Sequence, residues 1–267
     1  MDRRAFITTT FGTTVLASGL ANAAQRSGEA EPNPPDLFIS RQYSLRNGSG
    51  PRRLAEYLEA AYIPALNRIG HKPIGVFEVA TGLPSPTVFV LTPATVRNLP
   101  AIETELERDE QFLRAAMPYL DAPATDPVYV RQEVVLLAAF TKVPHVEVPA
   151  ATATKGARLF ELRTYESPSE RAHRAKVRMF SEMGEIDIFR RVGLTPVFFS
   201  RTLAGPRMPS LVYMLVHENM AARDKSWDAF RNDPDWKKLS ATPGYTDPEI
   251  VSNITTVLLR PAAYSQI

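Results

Sequence analysis

The feature that most constrains this 267-residue chain is that it repeats itself. FISRQY at Phe38 to Tyr43 lies against FELRTY at Phe160 to Tyr165, matching Phe, Arg and Tyr at an offset of 122. NRIGHKPIGVF from Asn67 lies against RRVGLTPVFFS from Arg190 at an offset of 123, pairing Gly70 with Gly193 and Pro73 with Pro196. Pro86 and Pro209 share that offset, each just before an apolar run. Leu106, Asp109 and Phe112 answer Phe230, Asp233 and Trp236 at 124, and the two VLL segments at Val135 and Val257 answer each other at 122. Five blocks in one order with so little drift describe an internal duplication, in which one supersecondary unit is built twice.

Each unit reads as strand, helix, strand, strand, helix, strand. In the second, RLFELRTY alternates with the period of a strand. Ser167-Pro168-Ser169-Glu170 has the form of a capping box with Pro at the first helical position. Val177, Phe180, Gly184, Ile188 and Val192 continue one helical face as far as Gly193. PVFFSRTL and SLVYMLVH flank Gly205-Pro206, Asn219 caps a helix that breaks at Asp233-Pro234, and IVSNITTVLL closes the unit. In the first unit Gly50-Pro51 opens a helix with Leu54, Leu58, Ala61, Ala65 and Ile69 along one face. A βαββαβ unit of about 100 residues forms a four-stranded antiparallel sheet with both helices on one face. The expected fold is therefore α+β, with two tandem ferredoxin-like βαββαβ units whose sheets pack face to face in a dimeric α+β barrel-type arrangement within one chain. Two independent domains side by side are the alternative. The expected boundaries are 36–141 for the first half, 142–157 for a linker (KVPHVEVPAATATKGA), 158–261 for the second half and 262–267 for a tail.

Residues 1–23 read as a targeting segment. Met1-Asp2-Arg3-Arg4 precedes a weakly apolar run to Leu20, and Ala21-Asn22-Ala23 supplies a small-x-small cleavage pattern. Arg3-Arg4 followed by Phe6-Ile7 has the twin-arginine form, and residues 24–35, rich in proline, read as a disordered lead-in. The expectation is export by the twin-arginine translocon, cleavage near Ala23 and a periplasmic or secreted bacterial protein with no stable membrane anchor. The absence of Cys excludes disulfides, thiolate metal sites and a cysteine nucleophile. With 31 Lys+Arg against 29 Asp+Glu, the chain also lacks the charge that nucleic acid or an anionic membrane would require.

FELRTY, the capped helix, GLTPVFF, PSLVYML and AARDKSWDAFRNDPDW together resemble the NIPSNAP family, a branch of the dimeric α+β barrel superfamily. The likeness spans nearly all of Arg158 to Pro261. The first half keeps Arg41 and Tyr43 but has IETELERDEQFLRAAM in place of the Trp-rich helix. The resemblance implies the barrel and little about chemistry. The family has no settled general reaction, and the wider superfamily includes cofactor-independent monooxygenases, isomerases, haem-binding members and plain binding proteins.

Four His, at 71, 145, 173 and 217, show no metal-ligand spacing, and no phosphate loop, nucleophile elbow or zinc signature is present. No metal and no cofactor are predicted. His71 and His145 read as surface residues and His173 as part of a solvated charged face. His217 ends a strand near a barrel opening, where a structural hydrogen-bonding role outweighs that of a base. Glu182, Glu185 and Asp187 read as surface salt-bridging groups, and Trp227, Phe230 and Trp236 as packing of the last helix. Strand alternation puts Arg163 and Tyr165 on one face with Glu161, opposite Leu162 and Thr164, and Arg41 with Tyr43 follows the same rule. The helices are expected to take the Leu face, which aims two Arg and two Tyr into the barrel, where Arg163 meets either Glu161 or an anionic ligand. The candidate ligand-binding residues are thus Arg41, Tyr43, Arg163, Tyr165 and His217. The expected function is binding of a small anionic or phenolic molecule between the sheets by a cofactor-independent oxygenase or isomerase. A non-catalytic carrier or protein-interaction module is the alternative, and self-association is open to either.

Overall fold

The computed structural model describes residues 35–148 and 158–267. The targeting segment, almost all of the lead-in and the later part of the linker lie outside the described residues. Pro34–Ile267 forms one compact unit. Its first half runs β1 (Leu37–Ser44), α1 (Gly50–Tyr57), a π-helical turn (Leu58–Tyr62), α2 (Ile63–Arg68), β2 (Gly75–Thr81), β3 (Thr87–Ala94), α3 (Ile102–Arg108), α4 (Glu110–Leu120) and β4 (Arg131–Ala139). The second runs β5 (Leu159–Glu166), α5 (Glu170–Ser181), α6 (Glu185–Arg191), β6 (Thr195–Ala204), β7 (Ser210–His217), α7 (Met220–Asn232), α8 (Pro234–Ser240), α9 (Asp247–Ile250) and β8 (Asn253–Pro261).

The eight strands close into an antiparallel barrel in the order β1-β3-β2-β8-β5-β7-β6-β4. Each half contributes the ferredoxin-like order, β4-β1-β3-β2 and β8-β5-β7-β6, and the halves join where β2 pairs with β8 and β4 with β6. Closure leaves no free sheet edge. It also buries both faces of the central strands, so β3 and β7 are buried at every position. Three apolar cores result: one beneath the helices of each half and one inside the barrel. The barrel core is built on Phe38 against Phe198, with ring centroids 5.3 Å apart, and Phe77 against Phe160 at 4.8 Å.

The start of α5 differs from the sequence expectation. Ser169 is its N-cap, accepting from the Ala172 N–H at 3.2 Å, because the Ser167 N–H is committed to the Pro209 carbonyl and keeps the chain extended through Pro168. The long helix expected through Val192 is divided at Gly184, whose φ of 93° is disfavoured for residues with a Cβ. Asn219 and Asp233 cap α7 and α8 at the expected places. The start of the expected linker is built in: Val143 is fully buried and the Glu147 N–H donates to the Val197 carbonyl. The C-terminal residues also pack, with the Gln266 N–H donating to the Ile74 carbonyl and Ile267 buried in the barrel core.

The face assignment of β1 and β5 is reversed. Phe38, Phe160 and Leu162 point into the barrel, whereas Tyr43 and Tyr165 belong to the cores beneath the helices. By alternation Arg41 and Arg163 share the helix-facing side. In a small closed barrel the inner positions converge and demand apolar filling, whereas the wider helix–sheet layer has room for long polar side chains. His71 and His173 are likewise buried rather than exposed. The His71 Nδ1 lies 2.8 Å from the Pro93 carbonyl at the helix-to-strand corner. His173 precedes Phe180 by seven residues and so falls on the apolar face of α5.

Candidate functional site

The helix–sheet layer of the second half gathers ionisable groups from β5, β7, α5, α6, α7 and α9. Glu161 is fully buried, and four hydrogen bonds converge on its carboxylate. Arg223 donates through Nε to Oε2 and through Nη2 to Oε1, both at 2.9 Å, and the Trp227 indole N–H donates to Oε2 at 2.9 Å. His217 Nε2 completes the shell at 3.2 Å from Oε2. Burial by itself would raise this carboxyl, but the bonds from His217, Arg223 and Trp227 together overcome it and hold the pKa at about 2. His217 therefore serves the Glu161 carboxylate.

Arg163 lies next to this satisfied group and is itself unsatisfied. Its Nε is 4.0 Å from Glu161 Oε1, and its guanidinium carbon sits 4.5 Å from the centre of the Trp227 ring and 5.3 Å from that of Tyr165. Stacking of this kind holds a guanidinium in place without using its N–H groups. Nε is buried and without a hydrogen-bond partner, and among the described residues no acceptor meets the rest of the group. The Tyr213 hydroxyl donates to the Tyr165 hydroxyl at 3.1 Å, which leaves the Tyr165 proton available as a further donor.

On the helical side, Lys176 of α5 is completely buried. Its ammonium lies 3.5 Å from Glu185 of α6 and 3.3 Å from Asp247 of α9, over the rings of Tyr165, Phe180 and Trp236. Burial raises the Glu185 pKa to about 7 against the opposing pull of Lys176, and its Oε2 lacks a hydrogen-bond partner. The expected surface role holds for Glu182, which pairs with Arg178 in the open, and fails for Glu185. Unused N–H and O–H donors thus lie in one layer with a carboxyl whose pKa burial raises, a combination suited to stabilising an anion and moving a proton.

The first half brings Arg41 and Tyr43 to the equivalent layer. Arg41 Nη1 donates to the Tyr62 hydroxyl at 2.5 Å. Tyr57 stacks on Tyr119 with centroids 3.7 Å apart, and burial together with neighbouring Tyr62 pushes the Tyr43 hydroxyl up to about 12. The five candidates therefore fall into two groups, Arg41 with Tyr43 and Arg163 with Tyr165 and His217. Lys176, Asp247, Tyr213 and Arg223 are not singled out by the sequence, and Glu185 is singled out there only as a surface salt-bridging group. The available signal was Lys176 and Phe180 at helical spacing after His173, a charged residue within an apolar stripe. Among the described residues no cluster of His, Asp and Glu has the arrangement of a metal site, and no helix is long and apolar enough to cross a membrane.

The closed eight-stranded barrel wrapped by helices defines a protein of the dimeric α+β barrel type. Within it, residues 160–266, the half that carries the Arg163 layer, match the NIPSNAP family model. A protein from Lactobacillus acidophilus NCFM, provisionally named a monooxygenase, is similar over 85% of this chain and 94% of its own, with 11% identity and a TM-score of 0.56. A second with the same provisional name, from Fusobacterium nucleatum, is similar over 86% and 94%, with 7% identity and a TM-score of 0.51. A NIPSNAP-like domain protein from Burkholderia xenovorans covers 41% of this chain and 89% of its own, with 19% identity and a TM-score of 0.37. At these identities the likeness concerns the fold. No curated protein matches the sequence.

Proposed function

We propose that the protein binds a small anionic or phenolic organic molecule in the helix–sheet layer of its second half and removes a proton from it. The observation that carries this reading is the Arg163 guanidinium, held by Trp227 and Tyr165 and lacking a hydrogen-bonded acceptor. The buried Nε of Arg163 has no acceptor and its ion pair with Glu161 is long, at 4.0 Å, so a carboxylate, enolate or phenolate ligand would supply a closer partner. Tyr165 would donate to the same anion, and Glu185 would accept the proton. Returning the proton to another carbon of the ligand makes an isomerase; reaction of the resulting carbanion with dioxygen makes a cofactor-independent oxygenase. The provisional name of the two whole-chain neighbours is in keeping with the second form.

Native mass spectrometry of the purified protein tests the reading. A retained small molecule should be lost from Arg163→Met and kept by Glu185→Gln, and the retained ligand should exchange its acidic proton with deuterated solvent in the unaltered protein but not in Glu185→Gln. A ligand that Glu185→Gln exchanges as well as the unaltered protein does would make it a carrier. Retention undiminished in Arg163→Met would refute the site.

We further infer that the two halves arose by duplication, which their common strand order supports, and that Arg3-Arg4 directs export through the twin-arginine route. Changing both to Lys should leave an uncut precursor in the cytoplasm; undiminished export would reassign the signal to the general secretory pathway.

A further inference from the structure

The barrel interior is packed at one end and open at the other. Towards the C-terminal ends of β1 and β5 its inward positions turn polar, and a cleft of about 90 Å³ opens between the sheets, lined by Ser40, Gln42, Thr164, Thr202 and Ser210. At about 15 Å³ for each water-sized centre this accommodates roughly six non-hydrogen atoms. Thr202 and Ser210 satisfy each other at 2.8 Å, whereas the side chains of Ser40, Gln42 and Thr164 find no partner among the described residues. Apolar side chains alternate with these polar ones along the walls: Phe89 is the cross-strand neighbour of Gln42 and Val212 that of Thr164, and Leu162 lies one inward position further towards the barrel core.

The rim differs between the halves. In the β6–β7 hairpin Arg207 is the one residue other than Gly with positive φ among the described residues, at 64°. A bulky side chain in that region is retained against its own preference. Its Nη1 donates to Thr255 Oγ1 at 3.3 Å, which anchors the guanidinium over the cleft and leaves its other N–H groups free. In the β2–β3 hairpin the residue at the corresponding offset of 123 is Pro84, beside Leu83 on the rim. The other charge there, Glu133, is partly offset by Arg131 at 3.9 Å.

We propose that this cleft is a second binding site, for a short-chain carboxylate whose head meets Arg207 and the mouth hydroxyls and whose alkyl body lies on Leu162, Phe89 and Val212. It is independent of the proton-transfer reading, since it uses neither Arg163 nor the helix–sheet layer. Two properties carry it: apolar walls set beside unpartnered hydroxyls, and a guanidinium at the mouth bonded to Thr255.

The test is a titration of the full chain, with labelled Leu and Val methyl groups, by sodium butyrate and by 1-butanol as its uncharged counterpart, followed by NMR. Butyrate should shift the Leu162, Val212 and Val257 methyls saturably. Arg207→Asn, which tolerates positive φ and removes the charge, should weaken butyrate about tenfold and leave 1-butanol within about twofold. Arg163→Met should leave the butyrate titration unchanged, so the two sites stand or fall separately. Shifts that do not saturate, equal response of the unaltered protein to acid and alcohol, or indifference to Arg207→Asn would overturn the proposal.

Discussion

The two helix–sheet layers are built on the same strand positions and have opposite chemistry. At an offset of 122 Arg41 corresponds to Arg163, Tyr43 to Tyr165 and Ile39 to Glu161; at 123 Tyr62 corresponds to Glu185. In the first half the Arg is satisfied by the Tyr62 hydroxyl, and Ile39 belongs to the apolar core. In the second, Glu161 is saturated by Arg223, His217 and Trp227, and Glu185 pairs with Lys176, so Arg163 is left without a hydrogen-bonded acceptor. Where the first half has one apolar residue and one phenol, the second has two carboxylates, each with its own cation, and its arginine is left without a hydrogen-bonded acceptor.

Separating the halves should have the largest effect. Residues 158–267 alone would lose the partners of β6 and β8 and expose Phe160, Leu162 and Val257. Analytical ultracentrifugation should find a homodimer or aggregate. A soluble monomer with cooperative unfolding would show that the halves do not complete one another.

Next is Glu161→Ile, which gives the second half the residue of the first. It leaves Arg223 and the Trp227 indole facing an apolar side chain, and should cost about 3–5 kcal/mol in denaturant unfolding, as for other broken buried ion pairs. Ile39→Val in the first half should cost about 0.5–1.5 kcal/mol. Similar losses from the two would remove the distinction between the layers.

The sequence allowed much of this comparison and misplaced the rest, for a physical reason. Repeat offsets, the Asn219 and Asp233 caps and period-2 strands foreshadow the barrel, because each is local or pairwise. Alternation also states correctly that Arg163, Tyr165 and Glu161 share a face. It cannot say which face goes inward when both are buried: Val212, Met214 and Val216 line the barrel while Leu211, Tyr213 and Leu215 meet the helices, and the two sets are equally apolar. Lys176 and Glu185 were illegible for another reason. Charges along a helix usually mean solvent, and their partners come from other helices, with Asp247 lying 71 residues beyond Lys176.

The two buried carboxyls should respond to pH in opposite senses. Glu161 is held at about 2 in the folded chain, below its ordinary 4.5, so its contribution is present above about 4.5 and is lost as the pH falls towards 2. The change is on the order of 3 kcal/mol. Glu185 is raised from 4.5 to about 7, so it binds its proton more tightly when folded, and its contribution is complete below 4.5 and declines as the pH rises to 7. Chemical unfolding across pH 3–8 should show the acid-side loss abolished in Glu161→Gln and the decline towards neutrality abolished in Glu185→Gln. A decline unchanged in Glu185→Gln would mean that this carboxyl is not the titrating group.

The smallest effect sharpens the comparison most. Arg41→Met removes a charged hydrogen bond and leaves the buried Tyr62 hydroxyl alone, a loss of about 1.5–3 kcal/mol. Arg163→Met removes a cation that makes no hydrogen bond, so the direct loss is its stacking on Trp227, about 0.5–2 kcal/mol, while Glu161 keeps all four of its bonds. The first-half variant should therefore be the less stable of the two. Retention of a bound anion should run the other way, lost with Arg163 and indifferent to Arg41. Both quantities come from one pair of variants, by denaturant unfolding and native mass spectrometry. If Arg163→Met is instead the more damaging to folding and neither variant changes retention, Arg163 is structural, and the two layers differ in composition without differing in role.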